Sequence, residues 1–342
     1  MVFSSSSVSA LALKKDSFYF LKRQLIFSII GLFGMLFFMN LDYWHIKKYE
    51  KHIVFIMFFL LVIVLIPGIG IKLNDARRWI GFGSNTIQPS ELAKLGMVIY
   101  LAAGLERKGE KNRSFFKGVF PFLLVMSAVC GLIVIEPHLS ATVLIGLTTF
   151  IMLFVAGANL AHMFLLGALG LGAVAVLTFS KGYRLSRYMA FVNPWEDPQR
   201  KGFQIIQSLY ALGSGGLIGV GLGQSRQKYF YLPEPQNDFI FAIIGEELGF
   251  LGAVFVILMF MFFIWRGYKT ALSSPDQFGK LLATGITTLI ALQFLINIAV
   301  VTASMPVTGM PLPFISYGGT SLTITLAQVG ILLNISRYAE AK

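Results

Sequence analysis

Apolar residues in this chain come in long unbroken runs, not in the one-sided stripes of a soluble helix. Runs rich in Leu, Ile, Val, Phe, Ala and Gly occupy 25–41, 52–68, 90–105, 118–135, 140–157, 160–178, 238–265, 280–303 and 319–336. Each approaches the ~20 residues that a helix needs to cross a ~30 Å hydrocarbon layer. Charged clusters, prolines and glycines punctuate them. The pattern predicts an all-α polytopic integral membrane protein with about nine transmembrane helices, organised as one membrane domain over 1–342. The segment 179–236 breaks the rhythm with mixed polar, aromatic and glycine residues and reads as one large loop. Residues 1–23 are too polar to span and lack the order of a signal peptide.

Composition agrees. Of 342 residues, 56% are hydrophobic and 13% charged, against roughly 25% charged in a soluble globule. A net charge of +12 would suggest nucleic acid in a soluble protein; here the loops explain it. Basic residues concentrate at 47–51, 107–117, 266–280 and 337–342 and are sparser at 14–23 and 72–78. The positive-inside rule makes the first set cytoplasmic, the carboxyl terminus with it, and turns 179–236 outward. Contact with anionic membrane lipid accounts for the remaining excess, with no nucleic-acid partner. The one cysteine, Cys130, excludes an intramolecular disulfide, and four histidines without an HExxH pattern argue against zinc.

The chemistry concentrates in KYFYLPEPQNDFIFAIIGEELG, Lys228 to Gly249. Pro233 and Pro235 hold the chain extended ahead of a helix that Asn237 or Asp238 can cap. Asp238 stands at the helix mouth, and Glu246 and Glu247 lie about 12 Å further along. Ionisable groups in such a segment are costly unless paired or hydrated, so a functional site is the default; a cap plus acids near a wet interior is the plain alternative. Arg77 to Lys94, RRWIGFGSNTIQPSELAK, reads as a loop with a short re-entrant or interfacial turn. Trp79 suits the interface. Glu91 and Lys94 fall three apart on one helical face, so Lys94 expects a carboxylate neighbour: Glu91 nearby, or Glu246 or Glu247 at a distance. A structural ion pair explains the same pattern.

Glu136-Pro137-His138 is a tight turn in which either titratable residue is tolerated without a catalytic role. The outward loop mixes Arg184, Arg187, Arg200 and Lys201 with aromatics, suited to an anionic diphosphate lipid or to plain interfacial anchoring. Residues 211–223 fit no dinucleotide or Walker pattern. Their small residues at 211, 215, 219 and 223 predict a smooth ridge for helix packing. Asn297 to Ser321 holds Pro306, Gly309, Pro311 and Pro313, an irregular loop. Gly318 and Gly319 then restart a helix whose N–H groups could meet an anion.

YLPE followed by NDFIFAIIGEELG resembles the signature of the SEDS family (shape, elongation, division and sporulation), membrane glycosyltransferases that polymerise lipid II into glycan strands. RRW…QPSE…K and PVTGMPLPFISYGG extend the resemblance over nearly the whole chain, nearest to the SpoVE/FtsW branch of the RodA, FtsW and SpoVE group. Glu-Pro-His departs from the Gln-Pro-Asp of many members, so no role carries over to His138. The resemblance implies ten helices and leads to the expectation of an apolar segment of about 15–20 residues before Met1. It implies a catalytic Asp238 in an inverting transfer with undecaprenyl diphosphate as leaving group. It also implies a polar cavity that includes Glu91 and Lys94, an outer cavity lined by the block holding Ser316, Gly318 and Gly319, and a cognate class B penicillin-binding protein among other cell-wall synthesis proteins. Read chemically, Asp238 suits a general base whose partial burial raises its pKa, with Glu234 second. Lys94, Arg78, Arg226 and Lys228 are candidate diphosphate contacts, with Arg187 in the outward loop. Glu246, Glu247 and Asn297 form a structural network. No cofactor is fixed; a divalent cation, Mg²⁺ or Mn²⁺, would suit the diphosphate. A lipid II flippase or transporter uses similar features, and a non-catalytic scaffold is the third reading.

Overall fold

The computed structural model describes residues 1–73, 76–82, 85–180 and 182–339. Gly83 and Ser84 of the 77–94 block, Lys181 of the outward loop, and Lys342 of the basic carboxyl terminus lie outside them. The protein is mostly helical. The order is α1 (Val2–Lys14), α2 (Tyr19–Asn40), α3 (Tyr43–Lys48), α4 (Glu50–Ile63), strands β1 (Gly70–Leu73), β2 (Ala76–Phe82) and β3 (Asn85–Ile87), then α5 (Pro89–Lys108), α6 (Phe120–Ile135), α7 (Leu139–Val155), α8 (Leu160–Phe179), α9 (Gly182–Val192), α10 (Phe203–Ser214), α11 (Ile240–Leu272), α12 (Gln277–Val301) and α13 (Gly319–Arg337). Every predicted apolar run has a helix. Six segments are long and apolar enough to cross a membrane among the described residues: α2, Phe115–Ile135, α8, α11, α12 and α13. Of the twenty residues of α8 only Met163 is buried, a surface suited to lipid and unfavourable in water.

Four expectations need correction. The all-α reading misses a three-stranded antiparallel sheet, β1-β2-β3, with Gly70 opposite Ile80 and Ile80 opposite Ile87. The segment 179–236 carries α9 and α10 rather than loop alone. The glycine ridge is not helical, because α10 ends at Ser214 and Gly216, Gly219, Gly221 and Gly223 all have positive φ. The helix beginning near Asp238 starts at Ile240 and breaks at Gly249, where φ is 67° and ψ −169°.

The chain gathers into two compact units. The first comprises Met1–Ile29, Ala173–Phe263 and Gln293–Leu322. Its interior holds Leu232, Phe239, Ile240 and Phe294, with Phe260 stacked on Phe294 at 4.2 Å between centroids. The second comprises Ile30–Gly172, Ile264–Leu292 and Thr323–Lys342. Here α5 packs on α4 and α7 around Met97, Leu101, Leu144 and Met152. Pro89 opens α5 at its first turn, where a missing N–H costs nothing and a fixed φ helps.

Candidate functional site

In the first unit, Asp238 is half-buried in the turn just before α11, which starts at Ile240. Asn237, the other expected cap, donates its side-chain amide to Glu234 Oε2 at 2.9 Å. The main chain around Asp238 is fixed from several directions. Asn297 Nδ2 of α12 donates to Asp238 O at 2.8 Å and to Met310 O at 2.7 Å. Ser316 Oγ donates to Asn237 O and accepts Leu312 N at 2.8 Å. Tyr317 N donates to Gln236 O at 2.8 Å. The proline-rich block 306–318 is thereby stitched to the Asp238 turn. Gly309, with φ of 76°, faces the carboxylate: a β-carbon there would lie 3.3 Å from Asp238 Oδ2.

Glu246 and Glu247, both buried on α11, organise the segment that leads to this turn. Glu246 accepts Ser225 Oγ at 2.5 Å and Arg226 N at 2.9 Å. Glu247 Oε1 accepts Ser4 Oγ and Ser225 N, the latter at 3.3 Å. Lys228 Nζ lies 3.7 Å from the same oxygen and donates to Gly223 O. Lys228 is only 5% exposed and in this structure acts as an internal anchor. Arg226 and Arg187 are exposed, and Arg187 Nη1 donates to Val307 O at 3.4 Å. Glu234, also exposed, has a φ of 46°. Gly318 N, an expected anion donor, is taken by Gln24 Oε1 at 3.3 Å, and Gly319 packs against Phe27.

In the second unit, Lys94 Nζ lies 2.7 Å from Glu91 Oε1, both side chains buried. This is the carboxylate neighbour that burial of an ammonium demands. The start of α5 is held by His138, whose Nδ1 lies 3.3 Å from Gln88 Nε2 and 3.3 Å from Ser90 Oγ. Arg78, on β2, donates Nε to Glu136 O at 3.0 Å and Nη2 to Pro137 O, so in this structure it closes the α6–α7 turn; Trp79 beside it is half-buried. The Glu136 carboxyl is fully buried, and neither oxygen has a hydrogen-bond partner among the described residues. Burial pushes it up to about 8 against the opposing pull of Arg78. Burial, Arg78 and Lys94 together push His138 down to about 3.

Three residues here escape sequence reasoning: Ser4 and Ser225 on Glu246 and Glu247, and Gln24 on the Ser316–Gly318 turn. Ser4 and Gln24 meet partners 243 and 292 residues away, Ser225 meets its partners 21 and 22 residues on, and no local pattern marks any of the three. The orphaned Glu136 carboxyl has a local signal, an acid between two apolar runs, but not one that separates it from a surface turn.

The family model described as cell cycle protein, FtsW/RodA/SpoVE, matches residues 1–341. Stage V sporulation protein E of Bacillus subtilis (strain 168) is 52% identical over 341 residues, covering 99% of this chain and 93% of that protein. A probable peptidoglycan glycosyltransferase FtsW of Geobacter sp. (strain M18) is 43% identical over 336 residues, covering 98% and 92%. Among solved structures, one titled as structural coordination of polymerization and crosslinking by a peptidoglycan synthase complex matches with a TM-score of 0.79 and 29% identity, covering 98% of this chain and 94% of that one. Rod shape determining protein RodA of Thermus thermophilus matches with a TM-score of 0.71 and 26% identity, covering 99% and 95%. With its apolar helices and a match along nearly its whole length, the chain is an integral membrane protein of the FtsW/RodA/SpoVE family.

Proposed function

We propose that this chain is a peptidoglycan glycosyltransferase that polymerises lipid II, serving division or sporulation. The observation that carries the reading is the Asp238 turn. A half-buried carboxylate follows a proline-rich segment, its backbone is held by Asn297 and Ser316, and Gly309 puts no side chain against it. Asp238 takes the proton of the acceptor sugar hydroxyl as that oxygen attacks the anomeric carbon of the donor. The bond to the lipid diphosphate breaks with inversion, one carboxylate serving as base. The exposed Arg226 and Arg187 supply positive charge for the diphosphate. Among the described residues no three His, Cys, Asp or Glu side chains cluster around a metal position. A divalent cation, Mg²⁺ or Mn²⁺, would suit the charge of the diphosphate.

In this reading nine helices cross the bacterial cytoplasmic membrane, with 179–236 outside and the carboxyl terminus inside. The partners are lipid II and a class B penicillin-binding protein within a larger cell-wall synthesis complex. A lipid II transporter is the second reading, favoured by the broken α11 and its buried acids. The test of both is purified protein with lipid II. Wild type makes glycan polymer, and Asp238→Asn, which keeps size and polarity, loses about 10²–10⁴ in rate while retaining fold and lipid II binding. Near-normal polymer from Asp238→Asn would overturn the base assignment and point to Glu234. Translocation of lipid II without polymer from wild type would establish the transporter.

A further inference from the structure

The break in α11 is filled by another part of the chain. At Gly249 the helix exposes carbonyls before the break and N–H groups after it. The 216–221 segment meets both: Val220 N donates to Glu246 O at 3.0 Å and Gly221 N to Glu247 O at 3.0 Å, while Phe250 N donates to Gly216 O at 2.9 Å and Leu251 N to Leu217 O at 3.1 Å. The approach is too close for any β-carbon. One on Gly219 would sit 2.2 Å from Glu247 O, and one on Gly249 would sit 2.3 Å from Gly219 N. The backbone of this segment is thus built into a helix, yet its side chains point away from the protein: Leu217 is 70% exposed, Ile218 79% and Leu222 67%.

The height of this segment follows from α11. Trp265, directly before Arg266, marks the far interface. Counting back the ~20 residues of a hydrocarbon crossing brings the opposite edge of the apolar layer close to Glu246. The hydrogen-bonded rungs at 246–251 therefore lie at and just inside that edge. Irregular backbone is tolerated at such a depth where its polar groups find partners; these bonds supply them for Gly216 O, Leu217 O, Val220 N and Gly221 N, and Gly219 N adds a bond to Gly215 O at 2.8 Å. The chain then leaves through exposed Arg226 and through Tyr229, Phe230 and Tyr231, also exposed, residue types at home among lipid headgroups.

We infer that residues 216–223 form a shallow re-entrant seat in the bilayer, with Leu217, Ile218 and Leu222 in contact with lipid acyl chains. The seat continues into Ser225 and Lys228, which are tied to Glu246 and Glu247. It thereby fixes the height of the Asp238 turn, roughly 10 Å toward the headgroups at 1.5 Å per helical residue. The inference rests on α11 being a membrane span, and the leaflet on the orientation proposed above; it does not require catalysis.

The test uses full-length protein in lipid vesicles, with Cys130→Ser as background and a bimane label at one introduced cysteine. Ile218→Cys is the probe, Phe255→Cys, on an exposed face of α11, the buried-in-lipid control, and Arg226→Cys the aqueous control. The seat predicts that label at Ile218 loses fluorescence to brominated lipid as Phe255 does and resists aqueous iodide. Quenching of Ile218 by iodide to the extent seen at Arg226 would overturn the inference, because the segment would lie in water. Protection from both quenchers would also overturn it, because a protein surface would cover the segment. If label at Phe255 escaped the brominated lipid, the span assignment itself would fall, and the seat with it.

Discussion

Two groups of buried acids teach different lessons. Glu246 and Glu247 receive two hydroxyls, two main-chain N–H groups and the neighbouring Lys228. Glu136 is equally buried, yet its carboxyl oxygens meet no hydrogen-bond donor among the described residues. The adjacent guanidinium of Arg78 is directed at the backbone carbonyls of Glu136 and Pro137 instead. Burial alone does not set the state of a carboxyl group; the donors aimed at it do. The first pair fastens a loop to a helix. The second acid, pushed up to about 8, is a neutral group at neutral pH.

The largest effect should come from unbalancing the first group. Glu247→Leu leaves Lys228 buried beside an apolar side chain and strands Ser225 N, a loss of about 3–5 kcal/mol. Chemical denaturation in detergent should show it. Glu247→Leu with Lys228→Met should recover part of that loss, since no lone charge remains; a double variant as unstable as the sum of the singles would mean that the pair is not coupled.

Next comes pH. The folded value of Glu136 is raised from 4.5 to about 8, so the folded state holds the extra proton and stability falls as pH rises between those values, by about 1.4 kcal/mol per pH unit at most. His138 is lowered from 6.5 to about 3. Its contribution is fully present above 6.5 and is lost as pH falls toward 3. The two slopes oppose each other between 4.5 and 6.5, which should give a flat optimum there. Glu136→Gln removes the falling slope and should carry the optimum into the neutral and alkaline range, read from melting temperature against pH. An unchanged profile would mean that the Glu136 carboxyl finds a partner in solution.

The smallest effect concerns the Asp238 turn. Gly309→Ala places a methyl group 3.3 Å from Asp238 Oδ2 at a φ of 76°. A stability loss of about 1 kcal/mol is expected from the left-handed backbone, with a larger proportional loss of polymerisation than of lipid II binding. Equal losses of both would indicate general loosening of the 306–318 block.

Much of the fold was legible because an apolar run long enough to span a membrane is a strong local signal. The pairing of Lys94 with Glu91 was legible for the same reason, since three-residue spacing on a helix is local geometry. The sheet at 70–87 was not. Lys72, Arg77, Arg78 and the glycines interrupt the alternation that announces a strand. Nor was the break at Gly249, because a glycine inside an apolar run has no cue until a second segment hydrogen-bonds across it. The glycine spacing at 211–223 correctly signals close approach but mistakes its partner: backbone meets backbone at a helix break, not helix against helix. The anchoring of Lys228 was hidden because an internal lysine and a ligand-facing lysine look alike in sequence.

The hydrogen bond from Ser4 to Glu247 spans 243 residues of chain. Translation at roughly 5–20 residues per second puts on the order of ten to fifty seconds between the two ends of that bond. Helix α1 leaves the ribosome well before its acceptor, which is made only after α10 and the seat segment. Helix α1 therefore waits through the synthesis of more than two hundred residues with its docking site unbuilt, and the first unit is complete only once residues 293–322, beyond α11, have emerged.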